Sequence, residues 1–399
     1  MTAQNVDILI SGGGIAGLAA AAAFGTAGFS VVLVDPVPQA TDVADPMADL
    51  RSTAFLQPSV EVLRRAGLWD RLAPHAAALQ VMRIVDAGGP PEEARQIKDF
   101  DAADISDQPF GWNLPNWLIR REMLGRIAEL PNVRFHPNLA TTGLLTRDAT
   151  ALISLSDGSR ISARLVIAAD GRESLLRQAL GIPVKTIRYG PKALVFSVTH
   201  PVPHLNISTE IHRSGGPFTL VPLPDRDGLP ASAVVWMEHG PEALRLASLP
   251  VPEFEAAMTA RSCHLLGPLT LASRRSTWPI IAQLAARMAG ERVALIAEAA
   301  HVLPPIGAQG LNMSLADIAV LLDLATANPD QLGTPGMLDA YHRARHADVQ
   351  IRFYGIDALN RASMLGGQVA RDLRGQALAA LFALTPLRKG LMKAGLGVR

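Results

Sequence analysis

The stretch Val6-Asp7-Ile8-Leu9-Ile10-Ser11-Gly12-Gly13-Gly14-Ile15-Ala16-Gly17 sets the fold. Val6 to Ile10 is short, apolar and β-branched, which reads as a buried strand. The alanine-rich run from Leu18 to Ala27 reads as a helix that stops at Gly28. Ser30 to Val34 is a second apolar strand, closed by Asp35. Strand, glycine turn, helix and strand within about 30 residues is the layout that holds a dinucleotide's pyrophosphate. In it Gly12 makes the turn, Gly14 lets the backbone approach the pyrophosphate, and Gly17 lets helix and strand pack closely. The amides at Ile15 and Ala16 open the helix toward the phosphates. Asp35 stands where a carboxylate accepts from ribose hydroxyls.

Outward from this unit, 399 residues suffice for two domains. The chain is 49% apolar and 18% charged, with a mean hydropathy of +0.20, so it either buries much of itself or presents a greasy surface. A formal net charge of +1 argues against bulk electrostatic binding to nucleic acid. Cys263 is the only cysteine, which excludes an intrachain disulfide and points to a reducing, cytoplasmic compartment. Met1 to Ile10 lacks a basic n-region and does not read as a signal peptide. No run of roughly 20 residues reads as one membrane-crossing helix.

Two further strands end in acids. Arg164 to Ala169 is followed by Asp170-Gly171 and a short helix over Ser174 to Leu180. A carboxylate at the end of a parallel strand faces the ligand crevice, although Asp-Gly is also an ordinary turn. Arg292 to Ala297 leads to Glu298 and His301, then to the stiff loop Val302-Leu303-Pro304-Pro305-Ile306-Gly307-Ala308-Gln309-Gly310. Leu311-Asn312 opens a helix running to Leu322, whose start carries positive partial charge. Glycines in that loop let backbone amides lie against a flat ring. His301 reads either as a base or as a hydrogen-bonded structural histidine.

In order and spacing, the three stations together resemble the group A flavoprotein aromatic hydroxylases, the para-hydroxybenzoate hydroxylase superfamily. Further detail resembles the ubiquinone-biosynthesis hydroxylases of the UbiH/VisC-like group: Asp49-Leu50-Arg51-Ser52-Thr53-Ala54-Phe55 with Ser59, Leu63 and Gly67-Leu68-Trp69, then Gly216 to Pro224 and Val234-Val235-Trp236. The resemblance implies FAD as cofactor, with NAD(P)H as a transiently bound co-substrate, since no separate nicotinamide domain is evident. It places Gly12, Gly14, Gly17, Asp35, Asp170 and Glu298 along the FAD. Pro305, Gly307 and Gln309 fall near the flavin, and the helix start Gly310-Leu311-Asn312 falls at its anionic pyrimidine edge. Arg51 contacts the flavin region, and Arg121 in Leu118-Ile119-Arg120-Arg121-Glu122 lines the FAD, with Arg120 not separable from it by sequence. The chain departs from the family at Ala297-Glu298, where Gly-Asp is expected, at Ala308-Gln309-Gly310, where Gly-Gln-Gly is expected, and at Asp35, where Glu is commoner.

The expected fold is α/β: a Rossmann-like FAD-binding domain of the glutathione-reductase type, an inserted β-sheet substrate domain and a C-terminal helical tail. The FAD domain is expected over 1–75, 100–182 and 270–360, and the substrate domain over 76–99 and 183–269, with 86–109 as a mobile loop. The tail, 361–399, has two readings: a basic amphipathic helix on anionic lipid, or a helix packed on the core or on a second subunit. In the tail Leu373, Ala377, Leu378, Leu381, Phe382 and Leu384 fall at near-helical spacing.

The expected activity is hydroxylation of a polyprenylated phenol. NAD(P)H reduces the flavin, and one atom of dioxygen passes to the ring. The chemistry is carried by the flavin, which accords with the lack of a nucleophile triad or of metal-ligand spacing; His342 and His346 lack the acid of a zinc motif. The expected location is the cytoplasm or the inner face of the membrane, alone, as a homodimer or in a quinone-making complex. The rival readings are a flavin hydroxylase of a soluble aromatic and a non-catalytic subunit that keeps the fold.

Overall fold

The computed structural model describes residues 4–88, 93–213, 215–364, 372, 376 and 382–396. The strands expected to carry the three stations are neighbours in the parallel part of one eight-stranded sheet. Gln4–Ser11 lies between Arg160–Ala168 and Val31–Asp35, and Val293–Leu295 pairs with the far side of Arg160–Ala168. In register Ser11 faces both Ala168 and Val34, and Ala168 faces Leu295. Gly12, Asp35, Asp170 and the segment after Leu295 therefore leave the sheet at one edge, the carboxyl edge, where ligands of such sheets bind.

The first helix, Ile15–Thr26, starts three residues before the alanine-rich run. Ala19 to Ala23 are all at most 1% exposed. The helix has no polar face because it is enclosed on all sides, between the sheet and the helices Asn116–Ala128 and Gln309–Ala327. Small side chains allow that close approach. Gln309–Ala327 is long and apolar enough to cross a membrane, but Met313, Leu315, Ile318, Leu321 and Leu322 pack into the same core.

The second sheet has nine strands and a core of its own, built on Phe196, Phe218, Trp236 and Phe254. In it Leu229–Glu238 lies between Val184–Thr199 and Pro217–Arg226, antiparallel to both. Two segments differ from expectation. Gln96–Asp101, placed in a mobile loop, is a strand paired with Val81–Asp86 at the edge of this sheet. Its charges mark the solvent face, where Asp99 pairs with Arg83 at 2.7 Å, while Phe100 is buried. Ser276–Ala285, assigned to the cofactor domain, pairs with Val184–Thr199 in the second sheet, and its far end meets His301–Val302.

The C-terminal helix Thr385–Leu396 packs on the body of the molecule. Met392 and Phe382 join Phe100, Ala102 and Phe110 in a small apolar cluster, and Arg388 reaches Asp104 at 3.2 Å. Of the apolar spacing expected in the tail, Leu373, Ala377, Leu378 and Leu381 lie outside the described residues.

Candidate active site

Five segments of the parallel-sheet unit converge on one cavity of about 540 Å³, and the second sheet roofs it. Gly14 to Gly17 form the first wall. Gly14 is the helix N-cap with no side-chain hydrogen bond, and the first turn holds no acid, so its amides stay open to an anion. The three glycines have separate duties here. Gly12 has φ +107°, and a Cβ there would strike the Ala169 carbonyl; one on Gly17 would overlap the Gly12 oxygen. A Cβ on Gly14 would meet no protein atom within 4 Å, so its bareness serves whatever fills the cavity.

Asp49, Arg51, Asn116 and Arg120 form the second wall. Arg51 grips Asp49 through two hydrogen bonds of 2.8 and 2.7 Å and lies over the Trp278 ring at 4.7 Å. Asn116 and Arg120 donate to the same carboxylate at 3.0 and 3.5 Å. Burial opposes ionisation of Asp49, but Arg51, with Asn116 and Arg120, outweighs it and holds the carboxyl down at about 2. Burial, helped by the Arg51 charge, lowers the Arg120 pKa against the pull of Asp49. The sequence does not single out Asp49, and it leaves Arg120 open against Arg121. Arg121 stands outside the cavity wall, over Trp117 and beside Glu122 at 2.9 Å. Asn116 and Arg120 are four apart on the inward face, and Trp117 and Arg121 four apart on the outer one. That spacing was the available signal.

At the third wall, Ala169, Gly171 and Arg172 line the cavity. Asp170 accepts from the Leu176 amide at 3.2 Å through one oxygen, and the other is buried with no partner. Burial raises its pKa against the bonds from Ser174 and Leu176. Arg177, unremarked in the sequence, is buried and donates to the Arg172 and Ala299 carbonyls at 2.8 and 2.9 Å. It thereby fastens the second station to the third. Glu298 lines the cavity, and its carboxylate meets Arg172 at 3.3 Å.

The loop Leu303-Pro304-Pro305 and the helix start Ala308 to Leu311 close the fourth side. Ala308 adopts left-handed φ +55°, and the helix it opens has no side-chain cap and no acid in its first turn. A second set of open amides thus faces the cavity. Gly307 and Asn312 stand just behind the wall: Asn312 accepts from the Leu56 amide at 2.9 Å and donates to the Ala54 carbonyl at 2.8 Å, tying the helix start to the Arg51 segment. Asp35 is also behind the wall, accepting from the Gly13 and Val37 amides at 2.5 and 2.8 Å. The roof is apolar, with Ala193, Val195, Ala233, Val235, Trp278 and Ile280 facing down.

Of the site residues expected from sequence, Gly14, Ile15, Ala16, Gly17, Arg51, Glu298, Pro305, Gln309, Gly310 and Leu311 meet in this one cavity. Gly12, Asp35, Asp170, Gly307 and Asn312 support it from behind, and Arg121 is not among the residues that line it.

Parallel strands with a glycine turn, two uncapped helix starts on one cavity and a half-satisfied buried carboxylate beside it together define a dinucleotide-binding protein. The chain belongs to the FAD binding domain family, whose model matches residues 5–351. It is 32% identical to a ubiquinone hydroxylase, UbiL, of Rhodospirillum rubrum over 98% of this chain and 89% of that one. It is 26% identical to the 3-demethoxyubiquinol 3-hydroxylase of Escherichia coli over the whole of both. Among solved structures, the p-nitrophenol 4-monooxygenase of Pseudomonas putida shares the fold with a TM-score of 0.80 at 20% identity over 99% of each chain. FAD is the cofactor, and the chain is an FAD-dependent monooxygenase by family.

Proposed function

We propose that this protein hydroxylates the aromatic ring of a polyprenylated phenol in ubiquinone biosynthesis, with NAD(P)H and dioxygen as co-substrates. The observation that carries the reading is the 32% identity to a ubiquinone hydroxylase across 98% of the chain. The residues present suit FAD: open amides at Ile15 to Gly17 for the pyrophosphate, Arg51 and Arg120 for further negative charge, and the Gln309–Ala327 helix start for the ring. When bound, FAD takes two electrons from NAD(P)H and activates dioxygen. The chain's part is to orient and to exclude water. Val195, Val235, Trp278 and Ile280 offer an apolar ceiling to an aromatic ring, and Pro304 and Pro305 stiffen the side wall.

The same reading places the enzyme in the cytoplasm, against the membrane that holds its substrate. Exposed Leu384 and Leu391 accompany Lys389 and Lys393 at the C-terminal helix, a combination suited to anionic lipid. Flotation with phosphatidylglycerol vesicles tests this; protein that stays at the bottom of the gradient with and without salt refutes it. The activity is tested by deleting the gene and identifying by mass spectrometry the quinone precursor that accumulates. A precursor lacking one ring hydroxyl, cleared by the wild-type gene, is the expected result. Normal quinone with no precursor refutes the assignment.

A further inference from the structure

Arg172 and Glu298 lie 126 residues apart in the chain and meet in the cavity wall. Arg172 Nε donates to Glu298 Oε2 at 3.3 Å. Their side chains are 31% and 48% exposed, so both are open to whatever fills the cavity. Neither side chain has another hydrogen-bond partner among the described residues. Glu298 Oε1 is therefore left to an occupant or to water.

The backbone beneath the pair is fixed from behind. Buried Arg177 donates to the Arg172 carbonyl at 2.8 Å and to the carbonyl of Ala299, the residue after Glu298, at 2.9 Å. The Ala300 amide closes the turn under Glu298 by donating to the Ala297 carbonyl at 2.9 Å. Ala297 enters that turn at φ +53°, a left-handed conformation that strains an alanine. Such strain persists where the surroundings over-determine the backbone, and here it sits under the acid that faces the cavity.

The glutamate side chain is a different matter, because it has three free torsions. Ordering it at the moment of binding costs affinity. Arg172 is its one hydrogen-bond partner among the described residues, and so restricts those torsions beforehand. An exposed pair adds little to the stability of a fold. What this one changes is where the carboxylate stands.

We propose that Arg172 is a cofactor-positioning residue that acts through Glu298: it holds Oε2 and leaves Oε1 to accept a hydrogen bond from a hydroxyl of the bound FAD. The proposal rests on the flavoprotein reading above.

A double-mutant cycle separates this role from direct contact between Arg172 and the cofactor. Full-length apoprotein is titrated with FAD by flavin fluorescence. Glu298→Ala should weaken FAD binding about tenfold, the loss of one hydrogen bond to a charged acceptor. Arg172→Met keeps the bulk and removes the donors, and should weaken binding about fivefold, the cost of ordering a free glutamate. In the Glu298→Ala background Arg172→Met should add less than about twofold. Arg172→Lys, whose ammonium lies one bond beyond the position of Nε, should restore affinity to within about twofold of the wild type. Equal weakening by Arg172→Met in both backgrounds overturns the proposal, since Arg172 then acts on the cofactor or the fold without Glu298. Unchanged affinity in Arg172→Met or in Glu298→Ala also overturns it, as does Arg172→Lys binding as weakly as Arg172→Met. If Arg172→Met does not fold, Arg172→Ala takes its place with the same outcomes. Wild-type protein that takes up no FAD overturns the flavoprotein reading and the proposal with it, whereas every other failure leaves that reading standing.

Discussion

Asp49 accepts from Arg51, Asn116 and Arg120 at once, and this has a consequence in pH. Its pKa falls from 3.8 to about 2 against the effect of burial. A depressed carboxylate contributes stability above its unfolded pKa and loses it as pH falls through the folded one. The shift is worth about 2 kcal/mol, present above pH 3.8 and gone near pH 2. Asp49→Asn should therefore lower the melting temperature at pH 7, and the gap from the wild type should narrow in melts taken between pH 4 and 3. A gap that is constant with pH would show that the carboxylate's charge is not what stabilises. The glycines separate in the same way. Gly17→Ala should lower the stability of the apoprotein, since its Cβ overlaps the Gly12 oxygen. Gly14→Ala should leave the apoprotein's melt nearly unchanged and weaken FAD binding by at least tenfold, as read by equilibrium titration. At this scale the glycine turn was legible because each position has a backbone reason. Asp49 was not, because two of its three partners lie 67 and 71 residues away.

Two elements show how far composition alone reaches. The strand Gln96–Asp101 lies at a sheet edge with two apolar residues among four polar ones, and its charges match a loop's composition until the Arg83–Asp99 pair across the strands is seen. The C-terminal helix is basic, which suggested lipid, but its inner face packs on protein. Phe382 meets Phe100 edge-on at 5.5 Å, and Met392 is buried against the same cluster. Both tail readings thus have a face of the helix to act on, and a core mutation tells how much the packed face contributes. Met392→Ala should cost about 2 kcal/mol, a drop of roughly 2–4 °C in a lipid-free melt. A helix that serves lipid alone would leave that melt unchanged. Arg120 and Arg121 show the complementary lesson: an element read correctly as a helix still needs its face assigned, and the partners at i−4, Asn116 and Trp117, assign it.

Across the whole molecule, the order of the three stations was readable because each combines a β-branched strand with an acid at its end, and the sheet register sets those ends side by side. The place of Ser276–Ala285 was less readable. It runs along the second sheet's strand Val184–Thr199 from end to end, while Ala282, Leu284 and Ala285 join the core of the first unit, so one continuous strand serves both. Period-two patterning reports burial but not which sheet does the burying. His301 shows the same limit: it is a structural histidine, buried and bonded to Asp317 at 2.7 Å, and Asp317 in turn accepts from Arg345 at 2.8 Å, but the helices that carry those two give no sign of it in sequence.

The scattering of the cavity wall along the chain also sets a schedule. Its residues come from 14–17, 49–54, 116–120, 169–172 and 297–314, with the roof between them. A ribosome moving at about 5–20 residues per second needs roughly 15–60 s to pass residue 314. Through that interval the glycine turn is made but has no opposite wall, and Val293–Leu295, which completes the parallel edge, has yet to be synthesised. Cofactor loading is therefore a closing event in the life of the nascent chain. Cells short of flavin should accumulate full-length protein that has finished translation and still lacks the piece that fills its centre.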